Sequence, residues 1–170
     1  MEIQSAGVEE PVTVNSVGYV ADMSAEEVVE VVQTPHVEAR IGDDNDCVAL
    51  IDGGSMVNSN TMSLVKDLKL PMEYTTGGMR VADDRCVNFL GKVRLNVTVV
   101  GISIPSVFYI VPSGSHDVLL GRPWSYIARH EEIPQMGEPD VLVHTIYSLD
   151  GKKVGSFDTS AKNKSAIHYP

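Results

Sequence analysis

The run Cys47-Val48-Ala49-Leu50-Ile51 ends on Asp52-Gly53-Gly54-Ser55. Five apolar residues in succession read as a strand buried on both faces. An ionisable side chain at the end of such a strand must be hydrogen-bonded or share a proton, because burying a bare carboxylate is costly. The two glycines let the backbone turn sharply and offer N–H groups to the carboxylate. Two readings of this fragment stand side by side: an acid that caps a tight turn, and an acid held in place for chemistry.

The chain around it is punctuated into short strands. Val37, Ala39 and Ile41 alternate with polar residues, and Gly42-Asp43-Asp44-Asn45-Asp46 is a turn cluster, so a hairpin delivers Asp52. Met62, Val65, Leu68 and Leu70 predict a helix over residues 59–70, closed by Pro71. Residues 77–91 read as a second hairpin with its turn at Asp83-Asp84. Val93, Leu95, Val97 and Val99 alternate strictly, as in a half-buried strand. Two strands over 102–104 and 107–111, a short buried strand over 118–120, and a helix over 123–130 follow. Residues 131–140 read as a polar loop. Asp150-Gly151 then marks a hairpin between 141–148 and 153–157, ahead of a frayed tail. The sum is a mainly β fold with short helices. It divides into an acidic extension over 1–34, in which Ser24 and Glu27 fit a capping box for a short helix, a core over 35–130, and a C-terminal loop, hairpin and tail over 131–170.

Charge and cysteine usage narrow the function. The net charge is −10, and residues 1–34 hold seven acids with no Lys or Arg. Such a balance argues against nucleic-acid and membrane partners. Neither of the two cysteines, Cys47 and Cys86, lies in a CxxC pair, and both read as small buried hydrophobes. The start of the chain lacks the pattern of a signal peptide, and its most apolar stretch, 97–111, is too short to span a bilayer. An intracellular, cytoplasmic protein is the expectation. No metal and no cofactor are expected: the histidines are scattered, and the acidic cluster at 43–46 lacks the glycine and terminal glutamate of a calcium loop. Trp124 reads as a packing residue.

Three segments in order, ALIDGGS, GGMRVADDRCVNFLG and VLLGRPW, resemble the retropepsin-like aspartic proteases. The chain looks most like the protease domains of gypsy-type LTR retrotransposon polyproteins of the fungal kind. The resemblance covers roughly residues 37–130. It implies a closed acid-protease barrel with one lobe per chain. It further implies a homodimer in which Asp52 of each subunit completes a pair sharing one proton, activates water and hydrolyses a peptide bond without a covalent intermediate. Gly53, Gly54 and Ser55 would hold the loop, with Ser55 able to hydrogen-bond Asp52. Met79, Arg80, Val81, Ala82, Asp83, Asp84 and Arg85 would form a flap closing on an extended peptide or polyprotein. Leu120, Gly121 and Arg122 would support the loop and the dimer.

The family carries Ser or Thr where this chain has Gly53, and that hydroxyl ordinarily bonds across the dimer. A catalytically silent dimerisation or peptide-binding module of the same fold is the alternative to an active endopeptidase. An unrelated β interaction domain, with Asp52 as a plain turn residue, is the second.

Overall fold

A computed structural model of the chain describes residues 34–159. The acidic segment with its expected short helix, and the expected frayed tail, lie outside them. Among the described residues no helix is long and apolar enough to cross a membrane.

Six strands close into a barrel. β1 (His36–Ile41) and β2 (Asn45–Ile51) form the expected hairpin, with Val37 opposite Ala49 and Ala39 opposite Cys47. β3 (Asn58–Thr61) leads into α1 (Met62–Leu68), and a separate two-stranded hairpin follows, β4 (Gly78–Arg80) with β5 (Cys86–Asn88). β6 (Gly91–Val99) and β7 (Ile102–Val111) make a long antiparallel pair. β8 (Val118–Leu120) precedes α2 (Arg122–Ile127). The barrel order is β1-β2-β8-β3-β7-β6, with β2 parallel to β8 and β3 parallel to β7. After the barrel come β9 (Glu131–Gln135), β10 (Glu138–Tyr147) and β11 (Val154–Asp158), a three-stranded antiparallel sheet.

Several elements differ from the sequence expectation, each for a physical reason. The first residues of the expected 59–70 helix are strand. Asn58, Ser59, Asn60 and Thr61 are all buried, because β3 runs between β8 and β7. The helix starts only after Thr61, which caps it by accepting from the Leu64 N–H. The expected break at Pro105 is absent. Pro105 lies in the part of β7 that has only β6 beside it, where a missing N–H interrupts no second ladder. The expected polar loop over 131–140 is β9 and the start of β10. All five β9 residues are exposed, so no apolar alternation marks the strand, and Pro134 is tolerated because β9 is the outer strand of its sheet. Cys47 is half-buried, and burial, reinforced by Asp46 and Asp117, pushes its thiol up to about 11. Cys86 is exposed, which corrects the reading of it as a buried hydrophobe.

The core is assembled from alternate residues of the barrel strands, such as Val37, Ala39 and Ile41 of β1 and Ile102, Ile104 and Phe108 of β7. Trp124 and Phe108 are the largest fully buried side chains, and Ile41, Ile104 and Leu120 surround them. Ile146 of β10 belongs to the same cluster, with Phe157 of β11 packed against it. Each fully buried aliphatic or aromatic side chain contributes roughly 1.5–3 kcal/mol. Gly155 brings β11 against the β6–β7 turn, where an added Cβ would lie 2.5 Å from Val100 Cγ2. Phe108→Ala is therefore expected to lower stability by about 3–5 kcal/mol in urea denaturation. Ile133→Ala, on the exposed β9, should stay within about 0.5 kcal/mol.

Candidate active site

The end of β2 and the end of β8 lie side by side as parallel strands, Ile51 opposite Leu120. This pairing fixes the start of the Asp52 loop, because the Asp52 N–H donates to the Leu120 carbonyl at 2.9 Å. The loop then folds on itself. The Gly54 N–H donates to Asp52 Oδ1 at 2.9 Å, and the Ser55 N–H donates to the Asp52 carbonyl at 3.1 Å. The carboxylate is half-exposed and keeps Oδ2 free of any hydrogen bond within the described residues. Ser55 does not bond the carboxylate: its hydroxyl donates to the Val57 carbonyl at 2.8 Å. The expected Ser55–Asp52 bond is thus replaced by a brace at the loop's exit.

Gly121 closes the arrangement. A Cβ there would stand 2.2 Å from the Val57 carbonyl oxygen and 2.8 Å from that of Ser55, so only glycine lets the two segments meet. Its N–H donates to Asn58 Oδ1 at 2.9 Å, and the next N–H, of Arg122, donates to the Ser55 carbonyl at 2.8 Å. Asn58 also donates through Nδ2 to the Val107 carbonyl at 3.2 Å. Sequence reasoning missed Asn58. It lies in a polar run that reads as surface, and hydropathy holds no signal that these side chains face inward. Arg122 acts through its backbone, and its exposed side chain has no ion-pair partner among the described residues.

Thr61 and Asp117 tie the same region further back. The Thr61 hydroxyl donates to Asp117 Oδ1 at 2.5 Å, and the Asp117 carbonyl accepts from the Thr61 N–H. Gly53 contrasts with Gly121. Nothing lies within 4 Å of a Cβ placed there, and its backbone is outside the left-handed region. Met56 and Tyr126, 80% and 84% exposed, border the loop with Gly53 around a shallow recess of about 640 Å³. A larger hollow, of about 1040 Å³, lies elsewhere, against β1, β2 and the His116 loop.

The β4–β5 hairpin carries Met79 and Arg80 on one strand and Cys86 on the other, with Val81, Ala82, Asp83, Asp84 and Arg85 at its tip. The Val81 N–H donates to the Arg85 carbonyl, and Arg85 Nε donates to Asp83 Oδ2 at 2.5 Å. Arg80 and Asp84 pair at 3.6 Å. Both charged pairs are solvated, and Arg85 holds the Asp83 carboxyl below its ordinary range. The base is anchored by Phe89 against Tyr109, ring centroids 4.5 Å apart, and by the Leu90 N–H on the Ile110 carbonyl. No hydrogen bond joins the hairpin to the Asp52 loop among the described residues. Nor do three His, Cys, Asp or Glu side chains there converge as a metal site.

Gly121→Ala is expected to break the seating of the loop on Val57 and lower the melting temperature by several degrees. Gly53→Ala should leave the melting temperature nearly unchanged. Asn58→Ala should destabilise by about 1–3 kcal/mol for each of the two buried backbone groups left unpaired.

No protein-family model matches the chain, and no curated protein matches it in sequence. Solved structures do match in fold. The retroviral protease-like domain of Ddi1 from Leishmania major superposes with a TM-score of 0.51 at 19% identity, over 75% of this chain and 96% of that one. The EIAV protease in complex with an inhibitor gives 0.48 at 17%, over 58% and 91%. A retropepsin-like aspartic protease from Rickettsia conorii gives 0.44 at 14%, over 74% and 84%. At these identities the likeness is one of fold. The closed barrel, with its Asp52 loop seated on Gly121, is a retropepsin-like fold.

Proposed function

We propose that the chain is an aspartic endopeptidase that acts as a homodimer. The observation that carries this reading is the seating of Asp52: a half-exposed carboxylate at the end of a buried strand, held by Gly54 and by the Leu120–Arg122 segment, in a retropepsin-like barrel. The described residues of one chain hold one such loop, and a pair of carboxylates needs two. A second subunit supplies the other Asp52. Two carboxylates a few ångströms apart cannot both ionise, so the pair holds one proton. The ionised member takes a proton from water as it attacks, and the protonated member polarises the scissile carbonyl.

The exposed Met56 and Tyr126 beside Gly53 fit an apolar rim for the subunit contact. The β4–β5 hairpin is the flap, with Met79, Arg80, Val81, Ala82, Asp83, Asp84 and Arg85 meeting an extended peptide strand. The sequence likeness to gypsy-type LTR retrotransposon proteases supports a polyprotein as the substrate.

Gly53 makes the reading quantitative. The position has room for a hydroxyl-bearing side chain and a backbone that serine adopts without strain. Gly53→Ser would restore two symmetry-related hydrogen bonds, each worth roughly 0.5–1.5 kcal/mol, and tighten the dimer roughly 5- to 150-fold. The test is cleavage of an unfolded protein between about pH 4 and 7. Activity that is lost in Asp52→Asn, is blocked by a statine-type transition-state inhibitor and rises in Gly53→Ser is the expected result. A dimer by sedimentation that cleaves nothing, even as Gly53→Ser, would identify a silent module of the same fold.

A further inference from the structure

The C-terminal sheet meets α2 through two histidines that the proposed chemistry does not use. His144, on β10, is fully buried. Its ring plane is parallel within 3° to those of His130 and of Phe157 on β11, at centroid distances of 5.1 and 4.7 Å. His130 Nε2 and His144 Nδ1 are 2.8 Å apart. His130 Nδ1 lies 3.5 Å from the Ser125 hydroxyl on α2, and its ring is 5.5 Å from Trp124. On the far side, His144 Nε2 has no hydrogen-bond partner among the described residues, and Glu132 Oε1 of β9 is 4.0 Å away. Asp158 of β11 also acts on His144 electrostatically.

Only one hydrogen fits between two ring nitrogens at 2.8 Å. With both rings neutral, one donates and the other accepts. A further proton is accommodated on His130, which keeps its Nε2–H on His144 Nδ1 and donates Nδ1–H to the Ser125 hydroxyl. A proton on His144 as well is not accommodated: both facing nitrogens then carry hydrogens, and two like charges stand next to each other, one on the fully buried His144 ring and one on His130, which is partly buried at the edge of the recess beside Gly53.

We propose that His130 and His144 form an acid-operated clamp between α2 and the β9–β10–β11 sheet, closed while a single hydrogen lies between the rings and opened when both rings are charged. The other ties across this junction are the Tyr147 N–H on the Ala128 carbonyl at 2.9 Å, Arg129 on the Ser148 carbonyl at 3.0 Å and over the Tyr147 ring at 5.4 Å, and the apolar packing of Ile146 and Phe157 in the cluster that holds Trp124 and Ala128. The start of α2 holds the Asp52 loop through the Arg122 N–H, so the clamp secures the helix on which that loop is seated. The inference stands independently of the proposed proteolysis.

Burial works in the same direction. It holds His130 below its ordinary value, and with the neighbouring His130 it lowers His144 to about 4, Asp158 opposing. Unfolded histidine takes its proton near about 6.5. Between the two values the unfolded chain binds more protons than the native one, so stability falls as the pH falls through this window.

Trp124 is the only tryptophan of the chain, and it lies beside His130. An imidazolium next to an indole quenches its emission, and water reaching the ring shifts the emission to the red. In a titration of the full chain from about pH 7.5 to about 3.5, quenching is expected first, with a red shift as both rings become charged. His144→Phe leaves one titrating ring, so the quenching should persist and the red shift should move down by about one pH unit or more. His144→Gln serves as a second variant if the phenyl ring does not pack. NMR of the histidine rings in the unaltered chain follows both sites directly. A red shift with the same midpoint in both variants, or a His144 ring that titrates near its ordinary value, overturns the clamp.

Discussion

The Asp52 loop and the β8–α2 segment approach each other closely enough that one position between them admits no side chain. At Gly121 a Cβ would stand 2.2 Å from the Val57 carbonyl. Everything that gives the site its shape follows from this approach. The Asp52 N–H reaches the Leu120 carbonyl, the Arg122 N–H reaches the Ser55 carbonyl, and Asn58 takes the Gly121 N–H. The parallel pairing of β2 with β8 puts the two segments in register, and Trp124, one turn into α2, is buried in the core beneath them. Backbone hydrogen bonds on two packed strands thus hold the Asp52 carboxylate in one position.

The same economy explains the polar strand β3. Four consecutive polar residues at the centre of a barrel would be costly if left unpaired. Here Asn58, Asn60 and Thr61 bond the carbonyls of Val107, Ser59 and Asp117 and the Asp117 carboxylate. Asn60 Oδ1 alone is left without a partner among the described residues, and the bonds that are made specify one arrangement of neighbours, because a shifted register would break them. The strand is short and sits between parallel and antiparallel neighbours, so its side chains decide where β7 and β8 end relative to the Asp52 loop.

The legible parts of the fold were those with local signals. Turn clusters at Gly42–Asp46 and Asp150-Gly151, the alternation from Val93 to Val99, and the apolar run into Asp52 each announced an element that the structure contains. The illegible parts depended on partners remote in sequence. β3 resembles a helix start because its four polar residues are buried only by β7 and β8. β9 resembles a loop because an exposed outer strand shows no alternation, and Pro134 argues against pairing without knowledge of which edge it occupies. Ser55 was expected to bond its near neighbour Asp52, but the loop's path turns its hydroxyl onto Val57.

The sequence by itself determined that a carboxylate would end a buried strand, that two glycines would follow it, and that a glycine and a proline would open a helix after a second apolar triplet. These are properties of contiguous residues, fixed by hydropathy and backbone freedom. Only the tertiary structure decided that Gly121 would face Val57, that Asn58 would bind them together, and that His130 and His144 would come within one hydrogen bond of each other. Those outcomes depend on the closure of the barrel and on the packing of a third sheet against α2, and no local run of residues encodes the distance between segments that meet only once the chain has closed.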